Sequence, residues 1–320
     1  MAAIRRNIVE SPTDAQRFVD GVLALKATNA GVRASQLGIG AGPRANDVDL
    51  SWWDLFVVWH AWSMRQMTGG GRNAAHSGPV FLPWHRWFML ILEIQMRNLM
   101  GLGPDDFGLP YWDWSSDGDL APALQTQAPV FTIVGGDGFG NDGDLATGPF
   151  VPNNGFVVNI EEDQNNNLRV TNRPIRRDLG VFTDRLPDSG DIASTMALGV
   201  YDTAPFSADS RGSFRNSLEG WSGDGHNQVH VFVGGDMLAG TSPNDPIFFL
   251  NHCNVDRLWA QWQAASPANI YVPTGTSVAG DELFRHRSND PLYSILTQVQ
   301  PAVSAMGDVD RFYAYDSLIV

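Results

Sequence analysis

The histidines of this chain are few and unevenly distributed. Six of the seven fall into two triplets within apolar, aromatic-rich segments: His60, His76 and His85, then His226, His230 and His252. A single histidine on an apolar face is usually an ordinary core residue, but two such triplets indicate two metal ions, each with three imidazole ligands. The chain must therefore fold so that histidines far apart in sequence converge. The seventh, His286, lies in the polar run DELFRHRSND and is expected on the solvated surface.

The composition of the triplets narrows the choice of metal. Imidazole suits zinc, copper, iron and nickel, whereas di-iron bundles use bridging glutamates and Glu-x-x-His pairs, and this sequence has no Glu-x-x-His. A three-histidine zinc site with a bound water is an alternative, but two of them in one domain have no obvious purpose. Six imidazoles without a carboxylate at ligand spacing favour a pair of copper ions that cycles between Cu(I) and Cu(II).

The overall composition limits partners and location. The chain has 320 residues, 43% of them hydrophobic, and can bury a large core. A formal net charge of −14 argues against nucleic acid and anionic membranes as partners, and no apolar stretch is long enough to span a bilayer. The N-terminus lacks an apolar signal-peptide core, so a cytoplasmic location is expected, with export on a partner protein as the alternative. The single Cys253 excludes an internal disulfide and is expected to pack near the metal.

Helical patterns dominate both metal segments. The spacing of apolar residues predicts helices in SPTDAQRFVDGVLALK, DLSWWDLFVVWHAWSMRQ, GPVFLPWHRWFMLILEIQMRNLM and IFFLNHCNVDRLWAQWQ, with Gly69–Gly71 ending the second. His76 falls on the loop between the second and third. His226 and His230 are four residues apart, which puts both rings on one face of a further helix. The expected fold is mainly α, a four-helix bundle of two antiparallel pairs, each contributing one triplet.

Residues 115–220 differ from their surroundings. They are rich in Gly, Asp, Asn and Pro, and GFVVNIEEDQNNNLRVTN alternates around an NNN turn, which predicts a β-hairpin. The flanking motifs YWDW and LEGW belong to the two metal segments and must come together. We therefore expect 115–220 to be a long excursion from the bundle, within a single domain that covers residues 1–320.

A series of motifs runs through residues 53–262, and YAYDS follows near the end of the chain. In order they are FVVWHAW, FLPWHRWFMLILE, LPYWDW, YDTAPF, FRNSLEGW, GHNQVHVFVGG and SPNDPIFFLNHCNVDRLWAQWQ. The series resembles the bacterial tyrosinases and polyphenol oxidases, type-3 copper proteins related to catechol oxidases, o-aminophenol oxidases and hemocyanins. The resemblance implies two copper ions per chain and dioxygen as co-substrate. It makes the first triplet the ligands of one copper and the second triplet those of the other.

The resemblance also assigns roles around the ligands. Phe248 matches an aromatic residue that packs against a ligand ring, and Val231 is placed in the substrate pocket. Asp256, one helical turn after His252, is expected to accept a hydrogen bond from a ligand imidazole, or else to form a surface ion pair with Arg257. Asn251 replaces a histidine that often precedes the last ligand, and we expect it to lie near the second copper and to affect substrate preference.

Glu219 and Asn227 resemble a pair that holds a water for deprotonating a phenol. One residue fewer separates Glu219 from His226 than in bacterial tyrosinases, which leaves the direction of the carboxylate open. With Ala74 two residues before His76, the Cys–His thioether of fungal and plant relatives is absent.

The implied function is oxidation of monophenols and o-diphenols to o-quinones. The alternatives are an o-aminophenol oxidase, a catechol oxidase without monophenol activity and, more remotely, a hemocyanin-like oxygen carrier. The implied partners are a small phenolic or aminophenolic substrate and a possible separate copper chaperone.

Overall fold

The computed structural model describes residues 3–278 and 280–318, and these residues are mainly helical. Four long helices dominate this part of the chain: α1 (Pro12–Ala27), α2 (Trp52–Arg65), α3 (Phe81–Met100) and α10 (Ile247–Ala265). Between α3 and α10 come six shorter ones: α4 (Trp114–Gly118), α5 (Pro122–Gln125), α6 (Pro129–Val134), α7 (Ser189–Met196), α8 (Phe214–Glu219) and α9 (His226–Val233). The predicted mainly α class is confirmed.

The strands in the described residues are short and form two-stranded sheets. They are β1 (Ala3–Arg5), β2 (Asn29–Arg33), β3 (Asp49–Ser51), β4 (Met67–Gly69), β5 (Arg72–Asn73), β6 (Gly138–Phe139), β7 (Asp144–Leu145), β8 (Val158–Glu162), β9 (Leu168–Arg173) and β10 (Tyr313–Tyr315). Strand β1 pairs in parallel with β10, and the other four sheets are antiparallel pairs of consecutive strands. These small sheets lie around the helices and do not form a separate layer.

The histidine-bearing helices α2, α3, α9 and α10 lie together, and α1 packs against α2 and α3. Aromatic rings fill the space between α2 and α3, with Trp59 and Phe88 centroids 5.0 Å apart and Phe56 and Phe88 centroids 5.5 Å apart. Phe88 also stacks on Phe249 of α10 at 5.7 Å. Each aromatic ring buries a large apolar area, so these contacts hold three helices in fixed relative positions. Among the described helices, none has the length and apolar character needed to cross a membrane.

Local sequence explains where the helices begin and end. Helix α2 starts with a capping box, in which the Ser51 hydroxyl accepts from the N–H of Asp54 while the Asp54 carboxylate accepts from the N–H of Ser51. Helix α3 ends at Gly101, whose φ of 66° is the left-handed conformation that glycine adopts without strain. The predicted end of α2 at Gly69–Gly71 was wrong, because the helix already stops at Arg65. These glycines belong instead to the tight hairpin of β4 and β5.

The excursion at 115–220 contains the predicted hairpin, formed by β8 and β9 around the asparagine turn. Its aromatic side chains pack on the bundle, with Phe131 against Trp112 at 5.6 Å, Phe150 against Phe18 at 6.3 Å and Phe156 against Trp53 at 5.7 Å. Buried residues of the excursion and of the helices form one continuous hydrophobic cluster. These contacts support a single domain, which stays a prediction.

Candidate dinuclear metal centre

Five of the six clustered histidines lie on helices of the bundle. His60 is on α2, His85 is in the first turns of α3, His226 and His230 are on α9, and His252 is on α10. His76 lies on the loop between β5 and α3. Within each triplet, one ring nitrogen from every histidine lies within 4.8 Å of the others. Both triplets can therefore hold a metal ion, as the sequence predicted.

The two triplets face one another. The rings of His85 and His252, one from each triplet, stack with centroids 4.1 Å apart and an interplanar angle of 12°. His76 and His226 approach across the same gap at 6.4 Å. Phe81 fills the space beside them, 4.8 Å from His85 and 4.9 Å from His226. The two triplets therefore form one continuous cluster of six imidazoles.

Backbone carbonyls fix the tautomer of three imidazoles. A carbonyl can only accept, so each Nδ1 that contacts one must carry the proton, and the lone pair is left on Nε2. The contacts are His60 Nδ1 to Gly240 O at 2.7 Å, His85 Nδ1 to Phe81 O at 2.8 Å and His230 Nδ1 to Met237 O at 2.7 Å. All three Nε2 atoms are buried and have no hydrogen-bond partner among the described residues. A buried, unpartnered lone pair is costly unless a cation occupies it, so these residues fit a metal ion.

His226 and His252 of the second triplet also have an arrangement that fits a metal ion. His226 Nδ1 donates to the Asn227 side-chain oxygen at 3.0 Å, with the carbonyl of Glu219 at 3.3 Å. His226 Nε2 then lies 3.0 Å from Nε2 of His252. Two buried imidazole nitrogens this close together can both bind the same cation. The residues present therefore fit copper, whose preferred ligands include imidazole.

Burial and mutual proximity hold the imidazoles neutral. Burial lowers the pKa of His60 to about 3 and that of His230 to about 4. The pKa values of His76, His85 and His252 fall well below the usual range, because of burial first and neighbouring histidines second. A neutral imidazole is the form that binds a metal, so no ligand must lose a proton near neutral pH.

A cavity of about 390 Å³ leads to the two triplets. Four ligand histidines line it, together with the predicted pocket residues Glu219, Asn227 and Val231. Trp221 and Leu238, which are 45% and 50% exposed, also line it and lie at its solvent side. No sequence signal indicated Leu238. Trp221 belongs to the motif FRNSLEGW, but no role was predicted for it. A larger cavity of about 560 Å³ lies elsewhere, between α1 and α6, and none of the six histidines lines it.

The carboxylate of Glu219 is buried and held on both oxygens. Oε1 accepts from the backbone N–H of Ser77 at 2.7 Å, and Oε2 accepts from Arg215 at 2.9 Å. Arg215 is shared, because its guanidinium also donates to Asp202 at 2.6 Å. Burial raises the pKa of Glu219, and Arg215 opposes this rise. Despite the shortened spacing to His226, the carboxylate lines the cavity. Ser77 and Arg215 had not been singled out from the sequence.

Phe248 and Asn251 lie behind the ligands. The Phe248 ring is 4.1 Å from that of His252, 5.0 Å from His60 and 5.8 Å from His230, so it packs against both triplets. Asn251 is fully buried and does not line the cavity, and within the described part of the chain both polar atoms of its amide lack a partner. Any effect of Asn251 on substrate preference must act through packing around His252.

The predicted role of Asp256 was wrong. Its carboxylate accepts from Arg86 Nε at 2.5 Å and from the hydroxyls of Tyr313 and Tyr315, each at 2.6 Å. None of its hydrogen bonds within residues 3–278 and 280–318 goes to an imidazole, and the alternative surface pair with Arg257 is wrong as well, because Asp256 is buried. One turn beyond His252, the carboxylate faces α3 and β10 instead of the ligands. Cys253 is buried as expected, with its sulfur 3.3 Å from that of Met89.

The predicted exposure of His286 was also wrong. The side chain is fully buried, its Nε2 lies 2.9 Å from the Thr68 hydroxyl, and its ring fills the space left by Gly78. A Cβ on Gly78 would lie 2.8 Å from the imidazole. The polar run around His286 folds back on the loop that carries His76, and a local hydropathy pattern does not reveal such a tertiary contact.

Comparison with known proteins agrees with this geometry. A family model described as the common central domain of tyrosinase matches residues 50–265. A tyrosinase of Streptomyces antibioticus is 41% identical over 225 residues, covering 70% of this chain and 77% of that protein. Grixazone synthase of Streptomyces griseus is 37% identical over 270 residues, covering 77% of this chain and 83% of that protein.

Solved structures share the fold at lower identity. A polyphenol oxidase of Thermothelomyces thermophila, solved as a point mutant, superposes with a TM-score of 0.71 at 23% identity, covering 98% of this chain and 88% of that one. A functional unit of octopus hemocyanin gives 0.53 at 19% identity, covering 98% and 68%. The family model and the Streptomyces relatives make this chain a tyrosinase-like type-3 copper oxidase. The chain belongs to the tyrosinase family.

Proposed function

We propose that the protein binds two copper ions per chain, uses dioxygen as co-substrate, hydroxylates monophenols and oxidises o-diphenols to o-quinones. The observation that carries this proposal is the pair of facing triplets beneath a cavity that also contains a buried carboxylate. When bound, the copper pair supplies two-electron redox chemistry with dioxygen. The first triplet would hold one copper and the second triplet the other.

The cavity supports binding of a small aromatic ring. Val231, Met237 and Ala239 give it apolar walls, while Asn73, Ser77 and Asn227 provide polar atoms. Pockets for small molecules typically combine apolar walls with a few polar groups that fix orientation. A phenol can enter with its ring against the apolar side and its hydroxyl towards the histidines.

Glu219 and Asn227 supply the proton chemistry. A phenol has a pKa near ~10 and must lose its proton to bind as phenolate. Glu219 lines the cavity, and Asn227 is partly exposed there while its side-chain oxygen is engaged by His226. The amide nitrogen of Asn227 and the Glu219 carboxylate can then hold a water between them, and this water relays the phenolic proton to the carboxylate.

One observation favours the alternative of a catechol or o-aminophenol oxidase without monophenol activity. Both oxygens of Glu219 already accept hydrogen bonds, from Ser77 and from Arg215. Hydrogen bonds to a carboxylate favour its charged form, so these contacts oppose the rise in the pKa of Glu219 that burial causes. An o-diphenol or an o-aminophenol needs less help with deprotonation and would tolerate this arrangement. A hemocyanin-like carrier is less well supported, because the cavity over the triplets reaches solvent beside Trp221 and Leu238.

Oxygen uptake by copper-loaded protein tests the proposal with tyrosine, catechol and o-aminophenol side by side. We expect uptake with all three, two coppers per chain by elemental analysis, and loss of at least one copper in His60→Ala and His252→Ala. Uptake only with catechol or o-aminophenol would assign the alternative. One metal per chain, or full activity with zinc, would contradict a copper pair. Loading with free copper salt, compared with protein co-expressed with candidate chaperones, tests the need for a separate chaperone.

A further inference from the structure

The hairpin of β8 and β9 reaches the first triplet from outside the bundle. Glu162, the last residue of β8, accepts a hydrogen bond through Oε2 from the backbone N–H of Gly240 at 2.9 Å. The carbonyl of the same glycine accepts from Nδ1 of His60 at 2.7 Å. Gly240 is thus held by Glu162 on one side and holds His60 on the other.

The Glu162 carboxylate lies close to the Cα of Gly240. A Cβ built there would lie 2.8 Å from Oε1 and 3.2 Å from Oε2 of Glu162. A separation of 2.8 Å is shorter than real Cβ contacts, so any larger residue would displace the carboxylate from the backbone N–H. A side chain at position 240 would thus compete with the hydrogen bond between Glu162 and the backbone N–H.

Arg65 fixes the carboxylate from its other side. Its Nη2 donates to Glu162 Oε1 at 3.0 Å and also donates to the carbonyl of Asn166 in the hairpin turn. Arg65 is the last residue of α2, the helix that carries His60. Helix α2 is thus connected to Gly240 twice: Arg65 binds Glu162, which binds the N–H of Gly240, and His60 binds the carbonyl of the same glycine. The Glu162 side chain is only 13% exposed, so water competes weakly for these hydrogen bonds.

The anchor of His60 differs from those of two other ligands. His85 donates to Phe81 O, four residues earlier in the same helix, and His230 donates to Met237 O, seven residues later. The carbonyl that holds His60 is 180 residues away, in a segment between two short 3₁₀ turns. Local helix geometry cannot fix a carbonyl so distant in sequence. The turn between Ala239 O and Ser242 N, closed at 3.0 Å, holds this segment locally, and Glu162 adds a long-range contact at the N–H of Gly240 itself.

We infer that Glu162 is a positioning residue for His60, setting the orientation of this ligand through the backbone of Gly240. This inference rests on the proposed role of His60 as a copper ligand. The outer partner of a metal-bound imidazole fixes its tautomer and ring direction, and removing such a partner typically costs ~10- to 100-fold in metal affinity. The excursion at 115–220 thereby contributes to the metal site without providing a ligand.

Two backgrounds isolate the two metal positions for the test. His230→Ala disables the second triplet and leaves the first, and His85→Ala does the reverse. In each background, Cu(I) affinity is measured anaerobically by competition with a chromophoric chelator, with and without Glu162→Ala. We expect Glu162→Ala to weaken binding ~10- to 100-fold in the His230→Ala protein and to leave affinity unchanged in the His85→Ala protein.

Conservative and control variants sharpen the result. Glu162→Gln keeps an oxygen that can accept from Gly240 and should recover most of the lost affinity. Glu161→Gln is the matched control, because Glu161 lies on the same strand but pairs with Arg169 and Arg173 instead. Unchanged affinity in both backgrounds, or equal weakening in both, would overturn the inference. Failure of the otherwise unmodified protein to bind copper would instead overturn the proposed function.

Discussion

At the scale of single residues, the site is defined by what holds each polar atom. The convergence of the two histidine triplets could be predicted from sequence, because their chemistry and clustering are local signals. The partners of His60 and of Glu219 could not, because Gly240, Ser77 and Arg215 are ordinary residues whose role depends on contacts far along the chain. Asp256 shows the same difference between local and long-range prediction. It lies on the helix one turn after His252, as predicted, but its hydrogen-bond partner Arg86 was not predicted.

Glu219 gives the clearest prediction at this scale. Monophenol turnover depends more than diphenol turnover on a base for the phenolic proton, so Glu219→Gln and Asn227→Ala should slow monophenol oxidation at least ~10-fold more than diphenol oxidation. General-base effects are typically ~100- to 10,000-fold, so a selective loss of this size is a modest expectation. The measurement is the ratio of kcat/KM for tyrosine and a catechol, at equal copper content. Equal losses on both substrates would show that the carboxylate only supports the loop of Ser77.

At the scale of elements, the centre depends on how α3 and α10 are joined. Arg86 directly follows the ligand His85, and Asp256 lies one turn after the ligand His252. Their side chains meet at 2.5 Å, and both are essentially inaccessible to solvent. Arg86 also lies over the ring of Trp259 at 3.7 Å. A buried ion pair therefore ties together the two helices whose ligand rings stack on each other.

Removing one partner of this pair should destabilise the fold strongly. Asp256→Asn leaves the Arg86 guanidinium without its counter-charge in a buried place, which typically costs ~3–5 kcal/mol. Urea unfolding of the metal-free protein measures the change in free energy of unfolding. Asp47→Asn, which removes a partner of the half-exposed Arg33, is the comparison and should lower the free energy of unfolding far less, because water and salt screen that pair. Similar small losses for both variants would contradict a structural role for the buried pair.

At the scale of the whole molecule, the helices were predictable and the connections between them were not. The apolar periodicity located all four long helices, and the asparagine turn located the hairpin. Hydropathy placed His286 at the surface, whereas the fold buries it against Gly78, because residues 281–290 return to the loop of His76. The hydropathy of a segment indicates its local secondary structure. It does not indicate which distant segment will pack against it.

The proposed single domain makes a prediction about the excursion. Phe131, Phe150 and Phe156 pack on residues outside 115–220, so this segment alone lacks partners for its apolar rings. A fragment of residues 115–220 should show the circular dichroism and amide-proton dispersion of an unfolded chain. The intact protein should unfold in one cooperative transition. A folded fragment, or a separate transition for the excursion, would contradict the single domain.

The distance in sequence between His60 and Gly240 has a consequence for biosynthesis. A nascent chain that has left the ribosome as far as residue 100 already displays all three imidazoles of the first triplet. It still lacks the carbonyl of Gly240 that orients His60 and the Glu162 carboxylate that accepts from the N–H of the same glycine. Until the last third of the chain is translated and folded, the orientations of those three imidazoles are not yet fixed relative to one another. The first triplet acquires its final geometry late, together with the second, so the two metal positions mature as a unit.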